Sequence, residues 1–155
     1  MKRAHLSPDQ IPALVERWCG LLGLEVQAAA APSGDEELFP NRIALKGPDA
    51  HVLAAAKGQA LDALQFLVHE AQGERDEQKL AYLDAEGLRL FRMKEVLAMG
   101  AFAAQKAREL GSYTFSPMSP RERRWIHLSV AKAGDDLTTE SEGTGHFKPV
   151  KVLRK

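Results

Sequence analysis

Arg123 and His127 stand four residues apart within Ser119-Pro120-Arg121-Glu122-Arg123-Arg124-Trp125-Ile126-His127. On an α-helix that spacing puts both side chains on one face, about one turn apart, with Arg121 and Arg124 flanking them. A guanidinium is a planar fork of donors suited to phosphate oxygens. An imidazole can donate to phosphate, stack on a base, or gain a proton below its reference pKa of roughly 6.5. Together they suit a single nucleic-acid strand. Cations near a helix start run against the dipole, and a local preference set aside in this way often marks a functional position. The plainer alternative is a helix whose arginines are solvated and whose histidine is packed, so the rest of the chain has to weigh in.

Other chemistries find little support. His5, His51, His69, His127 and His146 are scattered, without His-x-x-x-His spacing or cysteine partners, so no metal ion and no cofactor is expected. There is no Gly-x-Ser-x-Gly elbow and no P-loop, and Gly143-Thr144-Gly145 reads as a turn. The acidic pairs sit in charged loops where solvation is the default. No catalytic residue is assigned, and the chain reads as a non-enzyme. Cys19 is the single cysteine, which excludes an intrachain disulfide and favours a buried small hydrophobe.

The elements that must position the Arg-His pair are legible in outline. Ser119 is placed to cap the helix, Pro120 to occupy its first turn and Glu122 to complete a Ser-x-x-Glu capping box. Ser7-Pro8-Asp9-Gln10 repeats that logic upstream. Leu6 and Ile11 are placed as a staple, an apolar stripe runs from Ile11 to Leu22, and Gly23 is the stop. Leu24–Gln27 and Arg42–Lys46 alternate as strands, and Gly47-Pro48-Asp49 opens a short helix ending near Ala56. Lys57-Gly58 separates it from a second helix with a stripe of Leu61, Leu64, Leu67, Val68 and Ala71. Leu80–Leu83 reads as a strand closed by Asp84–Gly87. Leu88 to Leu110 is one long helix with Val96, Met99, Ala103, Ala107 and Leu110 on its apolar face, expected to bridge two domains. Ser112–Phe115, Leu137–Glu140 and Val150–Val152 are the remaining strands, and Pro149 suggests that the last begins at an edge.

A net charge of zero conceals an asymmetry. Residues 1–90 hold 9 Lys/Arg against 14 Asp/Glu, whereas residues 91–155 hold 12 against 7, so the Arg-His helix lies in the basic part. No apolar run reaches the eighteen or so residues of a membrane span, and Met1–His5 runs into a helix start rather than an apolar signal. A cytoplasmic protein without membrane insertion is expected.

Arg-x-x-x-His after a Ser-Pro helix start resembles the R3H nucleic-acid-binding domain. The upstream order of helix, strand, strand, helix, Gly-containing turn, helix and strand is that of a type II KH domain. Leu53-x-x-x-Lys57-Gly58-x-x-Leu61-Asp62-Ala63-Leu64-Gln65-x-Leu67-Val68 closely resembles the loop and following helix of the bacterial Jag (SpoIIIJ-associated) family, in which a KH domain precedes an R3H domain. Gly47-x-Asp49, Asp84-x-Glu86-Gly87 and Ser141-Glu142-Gly143-x-Gly145 extend the likeness over nearly the whole chain. The resemblance implies an α+β chain. A type II KH-like domain over 1–86, with helices on one face of a small sheet, is joined by the long helix to an R3H domain over 87–155.

It also implies a function. RNA contacts are expected at Arg121, Arg123, Arg124 and His127, with Lys148 and Lys151 widening the basic surface and Lys57 and Gly58 acting in the KH loop. The expected partner is single-stranded RNA, with single-stranded DNA or another KH-domain protein as alternatives, and the cellular role is post-transcriptional control linked to cell elongation and envelope growth. Where the family has Gly-x-x-Gly this chain reads Ala55-Ala56-Lys57-Gly58, so the first glycine and one central cation are replaced. A Cβ at Ala55 hinders the approach of loop N–H groups to phosphates. Longer family members also carry an N-terminal domain and charged linker not contained in this sequence. Trp125 and Phe147 are expected in the core in preference to stacking on bases.

Overall fold

A computed structural model describes residues 5–155. The reading of Met1–Ala4 as a lead-in without an apolar signal lies outside the described residues. The chain is α+β and divides into two units, one up to Leu90 and the other from Phe91 to Lys155.

In the first unit, a 3₁₀ turn at Pro8–Gln10 leads into helix α1 (Ile11–Leu21). The Gln10 side-chain oxygen accepts from the Ser7 N–H at 2.9 Å and from the Ser7 hydroxyl at 3.2 Å. Ile11, Val15 and Cys19 recur at helical spacing and are buried, with Leu6, Leu14 and Trp18 packed beside them. Strand β1 (Gln27–Ala30) pairs antiparallel with β2 (Arg42–Lys46), which pairs parallel with β3 (Tyr82–Ala85). Helix α2 (Ala50–Gln72) is interrupted at Ala55–Gly58, and its two parts reproduce the expected pair of helices. Ile43, Leu45, Leu53, Leu61, Leu64, Val68, Leu83 and Ala85 complete the core.

Three expectations are corrected here. The first strand lies three residues later than the alternation of Leu24–Gln27 suggested, on the alanines. The Glu25 N–H is taken by the Asp49 carboxylate at 2.7 Å, at the start of α2, and Ala30 instead pairs with Ile43. The strand expected at Leu80–Leu83 likewise begins at Tyr82 and includes Asp84, which is buried rather than solvated. Its carboxylate pairs with Arg42 at 2.9 Å and accepts from the Arg89 and Leu90 N–H groups at 2.8 and 3.3 Å, so it helps to cap the next helix. Leu67 is 52% exposed, and α2 buries Gln65 and Gln72. The outer edge of β3 runs beside α2, and its backbone groups need partners. The Gln65 side chain donates to Ala81 O at 2.8 Å and accepts from the Leu83 N–H at 2.6 Å, while Gln72 accepts from the Ala81 N–H at 2.8 Å.

Helix α3 (Leu88–Leu110) carries the chain across the division between the units. In the second unit it buries Met93, Val96, Ala103, Ala104 and Ala107, whereas Leu110 is 74% exposed, because the buried face has passed by the last turn. Strand β4 (Ser112–Thr114) is followed by helix α4 (Pro120–Ala133) and strands β5 (Leu137–Ser141) and β6 (Val150–Arg154). The antiparallel sheet has the order β4-β6-β5. The strand after Pro149 is therefore central rather than at an edge. Proline is tolerated because it stands just before the ladder, between β6 and a bridge that pairs Met118 with Lys148. Val150 and Val152 face the core, and α4 packs on the same face of the sheet, burying Trp125, Ile126 and Val130. Gly100 lets α3 approach α4 closely: a Cβ there would lie 2.7 Å from the Ser129 hydroxyl. None of the described helices is long and apolar enough to cross a membrane.

Candidate nucleic-acid interface

Residue Ser119 opens α4 as expected, its extended backbone ending in a side-chain oxygen that accepts from the Glu122 N–H at 3.3 Å. The reciprocal half of the capping box is replaced. The Glu122 carboxylate turns to Arg92 on α3, which donates to it from Nε at 2.5 Å. The first turn of α4 is thus held from inside by its cap and from outside by an ion pair, and the residues that follow project from a fixed frame.

Arg123, Arg124 and His127 line an open pocket of about 360 Å³, together with Pro120 and Leu128 of α4, Ser141 at the end of β5 and Lys148 before β6. Among these lining residues three are cations and none is a carboxylate. Arg123 Nη1 is shielded from solvent and has no hydrogen-bond partner among the described residues. A buried unsatisfied donor costs on the order of 1–3 kcal/mol.

His127 is half-buried rather than exposed. Nδ1 lies 2.5 Å from the Thr139 hydroxyl and Nε2 3.0 Å from the Ser141 hydroxyl. Burial first, and the Arg123 guanidinium second, hold its pKa below the ordinary value, which favours the neutral ring at neutral pH. In the sequence Ser141 stood out only as part of the family likeness and Thr139 only as a strand residue, neither with a role in the site. The available signal was the alternation of Leu137, Thr139 and Ser141, which puts these three on the face of β5 toward α4.

The other predicted residues are placed as follows. Arg121 precedes the pocket on α4 and is not among its lining. Lys151 alternates with the buried Val150 and Val152 and so belongs to the opposite face of β6. Lys57 and Gly58 lie in the first unit, at the interruption of α2. Ala56 and Lys57 there both take left-handed backbone angles, with φ of 52° and 58°, and Gly58 is buried against Leu88. Ala55 is extended with φ of −61°, so its own conformation does not demand glycine. Trp125 is buried as expected. Phe147 is 63% exposed, because it belongs to the loop between β5 and β6, outside the packed face, with its ring 5.0 Å from that of His146.

The R3H domain family matches residues 94–154, which lie within the second unit. Over nearly its full length the chain is also similar to a protein named RNA-binding protein KhpB from Clostridium symbiosum. The two are 31% identical over 156 aligned residues, which cover 99% of this chain and 69% of that protein. The chain belongs to that family, the Jag (SpoIIIJ-associated) proteins.

Proposed function

We propose that this chain is an RNA-binding protein that takes single-stranded RNA in the pocket between α4 and the end of β5. The observation that carries the reading is the open cavity itself, whose lining holds three cations, Arg123, Arg124 and Lys148, and no carboxylate. A phosphate in the cavity meets these cations through charge-assisted hydrogen bonds and a salt-dependent attraction. Arg121 extends the basic surface beside it on α4, whereas Lys151 belongs to the opposite face of β6. Membership of a family whose named relative is an RNA-binding protein agrees with this. So does the basic balance of residues 91–155.

Residues 1–86, within the first unit, are assigned as a type II KH-like domain, and residues 87–155, which take in the second unit, as an R3H domain. The parallel β2–β3 pair flanking the interrupted α2 supports the first assignment. Lys57 and Gly58 give that unit a weaker hold on RNA, because a Cβ stands at Ala55 where the family has glycine and Ala56 takes the place of a central cation. The protein acts in the cytoplasm without catalysis, in post-transcriptional control linked to cell elongation and envelope growth, a role that rests on the family resemblance. In a second reading the first unit is an adaptor for another KH-domain protein, favoured by the exposure of Phe66 and Leu67 on α2.

The test is anisotropy of a fluorescein-labelled decauridine against salt. Arg123→Ala should weaken binding about tenfold or more at low salt while leaving the melting temperature within a few degrees. The slope of log affinity against log salt should fall by roughly 0.7 for every phosphate that the variant no longer neutralises. Binding equal to wild type would place the site elsewhere. A single-stranded DNA of the same length that binds as tightly would widen the reading to both nucleic acids.

A further inference from the structure

Both ring nitrogens of His127 are already engaged inside the protein, Nδ1 with Thr139 Oγ1 at 2.5 Å and Nε2 with Ser141 Oγ at 3.0 Å. A neutral imidazole has one N–H and one lone pair, and a hydroxyl can donate once and accept as well. Two arrangements satisfy the trio. In one, Nδ1–H donates to Thr139 and the Ser141 hydroxyl donates to Nε2, so Ser141 offers the pocket only lone pairs. In the other, the Thr139 hydroxyl donates to Nδ1 and Nε2–H donates to Ser141 Oγ, which frees the Ser141 hydrogen to point into the pocket. Thr139 is half-buried and does not line the pocket; Ser141 is exposed and does.

A phosphate oxygen only accepts hydrogen bonds, so it is compatible with the second arrangement and is repelled by the first. We infer that Ser141 is the hydroxyl that contacts the RNA phosphate, and that His127, anchored by Thr139, is a positioning residue that acts through Ser141. This inference rests on the proposed phosphate site at Arg123. Protonation of His127 does not alter the outcome: both ring N–H groups then donate, and the Ser141 hydrogen is again free. Every bound state therefore carries a proton on Nε2.

A double-mutant cycle on the full chain, with labelled decauridine as the probe, separates this from direct contact. His127→Ala and Ser141→Ala should each weaken binding about tenfold, the scale of one charge-assisted hydrogen bond. The double mutant should bind no worse than the weaker single mutant, since both remove the same interaction. Ser141→Thr, which keeps the hydroxyl, should bind within about twofold of wild type. Effects that multiply to about a hundredfold would mean that His127 touches the RNA itself, and single mutants that bind as wild type would mean that Ser141 does not; either overturns the inference.

Nitrogen-15 NMR of the wild-type complex reads the same point without a mutation. The Nε2–H ring or the protonated ring is expected, and a neutral Nδ1–H ring in the complex overturns the inference. If wild type fails to bind decauridine, or Arg123→Ala binds as wild type, the phosphate site itself fails and this inference with it. A multiplicative cycle alongside an impaired Arg123→Ala overturns the relay alone.

Discussion

At the scale of the residue, His127 links acidity to both folding and binding. Its folded pKa lies below the unfolded reference of roughly 6.5, because burial and then Arg123 disfavour the charged ring. The unfolded chain therefore binds the proton more readily. The contribution to stability is fully present above about pH 6.5 and is lost as pH falls through the folded pKa. Binding should move the other way. A phosphate beside Arg123 offsets part of the positive field of Arg123, Arg124 and Lys148, raises the His127 pKa and draws in a proton. RNA affinity should thus rise between about pH 7.5 and 5.5 while the melting temperature falls. His127→Asn should flatten both profiles, and an affinity that falls with acidity in the wild type would contradict this account. Asp84 carries a second residue-scale prediction. Its carboxylate is fully buried against Arg42, so Asp84→Ala leaves a buried cation uncompensated and two helix-start N–H groups without their acceptor. A decrease of about 3–5 kcal/mol in the free energy of urea unfolding is expected.

At the scale of the element, the interruption of α2 is the most strained piece of backbone in the first unit. Ala56 and Lys57 both sit at positive φ, where a Cβ costs on the order of 1–2 kcal/mol. Ala56→Gly should therefore raise stability by about 0.5–1 kcal/mol, measured by thermal unfolding, with the gain reduced by the entropy of the added glycine. Ala55→Gly should bring no such gain, since Ala55 is already at an ordinary φ. If the second unit dominates RNA binding, Lys57→Ala should change decauridine affinity less than Arg123→Ala does. The reverse order would show a working KH loop. Helix α4 is governed by its start. Ser119→Ala removes the acceptor of the Glu122 N–H and should cost about 1 kcal/mol.

At the scale of the whole molecule, each unit has its own buried set and its own tryptophan, Trp18 packed against the first core and Trp125 buried in the second. Single-tryptophan variants, Trp125→Phe and Trp18→Phe, would report the two units separately. In that background Asp84→Ala should move the Trp18 transition to markedly lower urea and the Trp125 transition by less. Transitions that move together by the same amount would mean that the chain unfolds as one cooperative body, through α3.

The features legible in the chain alone are local. Capped helix starts at Ser7 and Ser119, the shared face of Arg123 and His127, the break at Ala55–Gly58 and the extent of α3 all depend on residues within one or two turns of each other. Neighbouring propensity and side-chain-to-backbone bonds act at that range. Tertiary structure decided whatever depends on who lies opposite. The β1 strand falls on the alanines because Ala30 meets Ile43, and Asp49 claims the Glu25 N–H. Gln65 and Gln72 are buried because the outer edge of β3 needs amide partners, and β6 is central because β4 and β5 pair with its two sides. The site followed the same division: sequence spacing picked out Arg123 and His127, but only the return of β5 across α4 brought Thr139 and Ser141 to the imidazole. A hydrogen bond between residues twelve or fourteen apart leaves no periodicity to read in the chain.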